Sequence, residues 1–114
     1  MEKSLSKMKL KTLIITIPFL FQLPALASSR LTATVYDPGL SGNLTSCGQV
    51  YRHWGVSAAH PFLPCGSKVR VSYRGRSLNV TVTDRCNCDI DLSGGAASYL
   101  RVPLNGIATV KVSY

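Results

Sequence analysis

Apolar and polar residues alternate with a period of two in Lys68 to Tyr73 (KVRVSY), Ser77 to Thr83 (SLNVTVT) and Ile107 to Tyr114 (IATVKVSY), and Leu31 to Tyr36 (LTATVY) is rich in β-branched residues. Successive side chains of a strand point to opposite faces, so each run makes a strand with one face to bury. No long stretch follows the helical period. Arg74-Gly75-Arg76, between two of the runs, reads as a hairpin turn. Asp37-Pro38-Gly39 reads as a turn, Leu40 to Cys47 as a polar loop, and Pro61, Pro64 and Gly66 mark a second irregular segment. Ser93 suits the N-cap of one short helix over roughly Gly94 to Leu100, and Pro103 and Gly106 end that region. The outcome is a mainly β chain of about six short strands and one short helix, closed as a barrel or stacked as a sandwich. No internal repeat is visible, and nothing is left over for a second domain.

Residues 1–27 have a different character. Lys3, Lys7, Lys9 and Lys11 precede a largely apolar run from Thr12 to Leu26, and Ala25-Leu26-Ala27 forms a small-x-small cleavage signal. This pattern predicts a cleaved secretory signal peptide, hence a protein secreted to the periplasm or the extracellular space. The run is broken by Pro18, Gln22 and Pro24 and falls short of the roughly 18–20 apolar residues of a membrane span, so no stable membrane anchor is expected. The first cysteine is Cys47, far from the cleavage point, which argues against a lipid anchor.

Residues 28–114 form the expected single domain. They hold nine Lys and Arg against four Asp, a net charge of +5. A basic secreted domain suits a polyanionic partner such as a cell-wall polymer. The basic residues are scattered and carry no nucleic-acid-binding motif, so no nucleic-acid partner is expected. A monomer is the default for a domain of this size.

Four cysteines, Cys47, Cys65, Cys86 and Cys88, predict two disulfides in an exported domain. A bridge between Cys86 and Cys88, one residue apart, is expected to be strained. That leaves Cys47–Cys86 with Cys65–Cys88, or Cys47–Cys88 with Cys65–Cys86. Zinc is disfavoured because the C-x-C pair with His53 and His60 lacks ligand spacing. Neither a metal nor a cofactor is expected.

The segment Thr83-Asp84-Arg85-Cys86-Asn87-Cys88-Asp89-Ile90-Asp91-Leu92-Ser93 concentrates three carboxylates in a chain that has only five acidic residues. Its alternation places Asp84 and Asp91 where strand meets loop, the usual setting of binding and catalytic groups.

Several segments together resemble one family. Ala33-Thr34-Val35-Tyr36-Asp37 resembles its opening strand, and Thr45-Ser46-Cys47-Gly48-Gln49-Val50-Tyr51 resembles a loop that carries a glutamate in the family. The run Ser57-Ala58-Ala59-His60-Pro61-Phe62-Leu63-Pro64-Cys65-Gly66-Ser67-Lys68-Val69-Arg70-Val71 is similar to the family's A-A-H…L-P-x-G segment. Asp84-Arg85, Ile90-Asp91-Leu92-Ser93 and the closing Gly106 to Val112 also match in order. The domain is thereby identified as a member of the rare lipoprotein A (RlpA)-like family. The resemblance implies a six-stranded double-psi β-barrel, a fold shared with expansins and barwin-like proteins. It also implies lytic transglycosylase activity on peptidoglycan strands that lack stem peptides.

Carried over residue by residue, the resemblance points to Asp84, His60 and, in place of the family glutamate, Gln49; from the expansin-like relatives it adds Asp91 and Thr34. The cysteine positions are more like those of small secreted members, a group that includes a streptomycete papain inhibitor. Asp84 and Asp91 are the expected catalytic residues, Asp84 as the acid/base and Asp91 to position the sugar or share the proton. One carboxyl suffices for transglycosylation, because the acid that protonates the leaving oxygen can then take the proton of the sugar's own 6-hydroxyl and leave a 1,6-anhydro ring. Two neighbouring carboxyls push their pKa values apart. Gln49 and His60 are expected to contact substrate, Thr34 to lie in the site, and Tyr36, Tyr51 and Trp54 to form an apolar floor for sugar rings. The expected function is a secreted peptidoglycan lytic transglycosylase. The alternatives are a non-catalytic wall-binding or wall-loosening module and a secreted protease inhibitor of the papain-inhibitor type.

Overall fold

A computed structural model describes residues 28–114, so the expected signal peptide lies outside the described residues. Six strands, β1 (Ser28–Val35), β2 (Ser57–Ala59), β3 (Lys68–Tyr73), β4 (Arg76–Asp84), β5 (Ile90–Leu92) and β6 (Ala108–Ser113), close into a barrel in the order β1-β5-β2-β4-β3-β6. Two contacts are parallel, β1 with β5 and β2 with β4, and the others are antiparallel. Closure leaves no free sheet edge. The four long strands fall on the three alternating runs and the β-branched run Leu31 to Tyr36. The two three-residue strands, β2 and β5, are too short to display a period.

The alternation maps directly onto burial. Val69 and Val71 on β3, Val80 and Val82 on β4, Ile90 and Leu92 on β5, and Val110 and Val112 on β6 are buried, with Ala33 of β1 and Ala58 of β2 among them. Burying each branched side chain contributes about 1.5–3 kcal/mol. The β3–β4 hairpin turns through Arg74 and Gly75, both with positive φ (46° and 82°), between the paired Tyr73 and Arg76. Two positive-φ residues are what a two-residue hairpin of native twist needs.

The helix α1 (Gly94–Leu100) begins at the expected cap. Ser93 Oγ accepts from the Ala96 N–H at 3.3 Å, and Ala96, Ala97 and Leu100 pack into the core. Ser93 Oγ also donates to the Gly55 carbonyl at 2.7 Å and accepts from the Ser57 N–H at 3.1 Å. One buried hydroxyl thus joins the helix start to the loop before β2.

The disulfide pairing departs from expectation. The bridges are Cys47–Cys65 and Cys86–Cys88, with Cα–Cα distances of 5.8 and 5.2 Å. Both fall inside the range of about 4.4–6.8 Å that a bridge spans. The chain bends over Asn87 to Asp89, between the end of β4 and the start of β5. Residues i and i+2 of an extended chain project to the same side, and the bend brings Cys86 and Cys88 within bridging distance. Their nearness in sequence is therefore no obstacle. No disulfide ties the acidic segment to a distant loop; Cys47–Cys65 joins two loops to each other instead.

Candidate active site

Thr34 pairs with Asp91, Asp91 with Ala59, and Ala59 with Asp84, giving one row across β1, β5, β2 and β4. Ala33, Ala58, Ile90 and Leu92 point into the core, so Thr34, Asp91 and Ala59, alternating with them, point outward. The register of β2 against β4 shifts within two residues: Ala58 faces Val82, but Ala59 faces Asp84. Thr83 is the extra residue, and the bulge aims Asp84 rather than Thr83 at the row. The two carboxyls thus flank a methyl group, the smallest side chain that still closes the strand surface between them.

Tyr36 and Tyr51 cover Ala59. Their rings stack with centroids 4.2 Å apart. The Tyr36 hydroxyl donates to Asp84 Oδ2 at 2.8 Å, while Asp84 Oδ1 accepts from the N–H groups of Ser46 and Arg85, each at 2.8 Å. Burial pushes the Asp84 carboxyl upward, but the donors Ser46, Tyr36 and Arg85 prevail and hold it below its ordinary value. Asp91 is the opposite case. Burial raises it, the Thr34 hydroxyl donating at 2.8 Å lowers it, and the charge of Asp84 raises it, for a net upward shift. Burial also raises the Tyr36 phenol, and the Asp84 hydrogen bond and charge add to it, so Tyr36 stays a donor. Tyr51 is likewise raised, chiefly by burial.

The remaining expected site residues lie around this pair in different ways. Gln49 is exposed. Its loop is closed by Thr45, whose N–H donates to the Gln49 carbonyl at 2.7 Å, and is docked on Asp84 through Ser46. His60 is 2% exposed, and its Nδ1 accepts from the N–H groups of Phe62 and Leu63 at 3.2 and 3.1 Å. Burial and the nearby Arg85 charge hold its imidazole below the ordinary value. Its backbone N–H donates to the Asp84 carbonyl at 3.1 Å, and its own carbonyl accepts from Arg85 Nη1 at 3.0 Å. His60 thus braces the segment that carries Asp84. Trp54 is 67% exposed and stands edge-on to His53, with centroids 4.7 Å apart, outside the Tyr36–Tyr51 stack.

Three contributors went unrecognised in the sequence. Ser46 acts through its backbone N–H, which residue type does not reveal. Ala59 matters for its small size. His53 shares a 2.8 Å hydrogen bond with the Tyr51 hydroxyl, and its buried ring lies against Gly94, where a Cβ would come within 2.2 Å of His53 Nε2. The Y-x-H spacing of Tyr51 and His53, which puts both on one side of an extended chain, was the available signal.

Known proteins resemble this chain over most of the described residues. A family profile described as lytic transglycolase, of double-psi β-barrel type, covers residues 28–112. An uncharacterised protein of Synechocystis is 45% identical over 84 residues, 72% of this chain and 93% of that protein. The endolytic peptidoglycan transglycosylase RlpA of Pseudomonas aeruginosa is 40% identical over 87 residues, and that of Campylobacter jejuni 37% over 86. The match takes in 26% and 31% of those two longer proteins. Among solved structures, the Streptomyces papain inhibitor superposes with a TM-score of 0.65 at 25% identity, over 81% of this chain and 97% of the inhibitor. A closed six-stranded barrel, its order of motifs and a profile match spanning β1 to β6 together mean that this chain belongs to the RlpA-like lytic transglycosylase family.

Proposed function

We propose that the domain cleaves peptidoglycan glycan strands by lytic transglycosylation, with Asp91 as the proton-carrying group and Asp84 as its ionised partner. The observation that carries this reading is the Asp91–Ala59–Asp84 row, in which two neighbouring carboxyls have environments that shift them in opposite directions. Such separation sorts acid from anion at one pH. The sequence alone pointed to Asp84 as the acid; its three neutral donors suit it better to the charged role.

In this mechanism Asp91 gives its proton to the glycosidic oxygen as the C1–O bond breaks. The negative charge of Asp84 stabilises the cationic sugar that forms. The sugar's 6-oxygen then bonds to C1, and the 6-hydroxyl proton passes to Asp91, which returns to its starting state. No water is consumed. Gln49, on the docked loop, has an amide that can bond a hydroxyl or N-acetyl group, and the Tyr36–Tyr51 stack offers an apolar wall. The test is to incubate the oxidised protein with stem-peptide-free strands and look for 1,6-anhydro ends by mass spectrometry. Ends made by wild type but not by Asp91→Asn support the reading; strands left intact by wild type overturn it.

A second reading is protease inhibition. It rests on the superposition with the papain inhibitor, nearly all of which this chain covers, whereas the named transglycosylases are covered for under a third of their length. Loss of papain activity on titration with the protein, with no cleavage of glycan, would favour it.

A further inference from the structure

A groove of about 620 Å³ on the described surface does not include the carboxylate pair. It lies over β1, β6 and β3, where Arg30 pairs with Lys111 and Lys111 with Ser72 in one cross-strand row. Arg74, at the tip of the β3–β4 hairpin, adds a third cation above Tyr73, its guanidinium 5.3 Å from the ring centroid. The described lining contains no carboxylate. Ile107, 71% exposed, gives the rim an apolar surface.

Arg74 itself stands out. It holds φ 46° in a turn where Asn, Asp or Gly is the ordinary choice. A bulky residue kept at positive φ points to use of its side chain. Arg30 and Thr34 lie on the same face of β1, four residues apart, about 13 Å at strand rise. One extended polymer can therefore reach from the groove to the carboxylate row. Between them, Asp89 Oδ2 accepts from the Thr32 N–H at 3.0 Å, so the polymer's charges belong at the Arg30 end.

We propose that this groove is a distal subsite for a glycan whose sugars bear free carboxylates, with Arg30, Lys111 and Arg74 meeting the anions and Tyr73 and Ile107 packing against the rings. The proposal rests on the glycan-directed reading above and names what selects the strand. The apolar surface beside the cations favours a carboxylated sugar over a bare phosphodiester polymer.

The test compares wild type, Asp84→Asn and the triple variant Arg30→Gln/Arg74→Gly/Lys111→Gln. All three groove substitutions fall on surface strands or the hairpin tip, and glycine relieves the positive φ. The probes are peptide-free glycan strands, the same strands with their carboxyls reduced to alcohols, and poly(glycerol phosphate). Binding of carboxylated strands by wild type and Asp84→Asn should weaken with salt and fall about tenfold in the triple variant, the combined effect of three exposed charges. Reduced strands should bind weakly and alike to all three proteins. Unchanged binding in the triple variant, indifference of wild type to carboxyl reduction, or tighter binding of poly(glycerol phosphate) would each overturn the proposal. Groove-dependent binding without anhydro products would uphold the subsite while removing the cleavage reading; anhydro products with unaltered binding by the triple variant would do the reverse.

Discussion

Ala59 faces Asp84 across the β2–β4 pair although its neighbour Ala58 faces Val82. That one-residue shift sets the geometry of the site, because it turns Asp84 toward Asp91 on the far side of the Ala59 methyl.

Enlarging that methyl should harm both stability and function. Ala59 is 1% exposed beneath the tyrosine stack. Ala59→Val should lower unfolding free energy by about 1–3 kcal/mol through overpacking, read in urea. Cleavage should fall further than the loss of folded protein explains.

The carboxyl pair should give a bell-shaped dependence of kcat/KM on pH. Asp84 must be ionised, and its lowered pKa places the acid limb below the ordinary carboxylate range; Asp91 must be protonated, and its raised pKa places the alkaline limb above it. Thr34→Val removes a donor that lowers Asp91, so the alkaline limb should move to higher pH. Tyr36→Phe removes a donor that lowers Asp84, so the acid limb should move up, with a stability loss of about 1 kcal/mol.

Stability should respond oppositely at the two aspartates. The folded pKa of Asp84 is depressed, so its contribution is present above the unfolded value and is lost as pH falls through the folded one. The folded pKa of Asp91 is raised, so the folded state binds its proton more tightly and loses that advantage as pH rises. Asp91→Asn should therefore raise the melting temperature at neutral pH while cutting cleavage by about 100-fold or more. Calorimetry at acid and neutral pH, set beside the anhydro assay, checks both halves.

At Gly94 an added Cβ would meet the His53 ring at 2.2 to 2.7 Å, and at Gly95 it would meet the Gly55 and Trp54 carbonyl oxygens at 2.4 and 2.5 Å. Gly94→Ala should cost about 1–3 kcal/mol by overpacking and displace His53 from Tyr51. Gly95→Ala should cost at least as much, because the atoms it meets are backbone.

The two disulfides should differ in weight. Cys47–Cys65 spans 18 residues and Cys86–Cys88 spans two. Loop-closure entropy then assigns about 3 kcal/mol to the first and much less to the second. Cys47→Ser/Cys65→Ser should be the more destabilising pair, and peptide mapping of the oxidised protein should recover both bridges.

The strands β1, β3, β4 and β6, the hairpin turn at Arg74-Gly75 and the Ser93 cap were legible because each depends on residues within a few positions of one another. Strand alternation and caps are local rules. The family motifs, which are likewise short runs of neighbouring residues, mark Asp84, Asp91 and Thr34. What the chain does not display locally is register. Thr34 and Asp91 meet across 57 residues, and the bulge at Thr83 decides that Asp84 joins them. The disulfide partners also followed from a bend at Asn87 and from loop positions rather than from spacing. The same holds for chemistry: Asp84 and Asp91 are the same amino acid, and only three donors folded onto one and burial around the other separate their affinities for a proton.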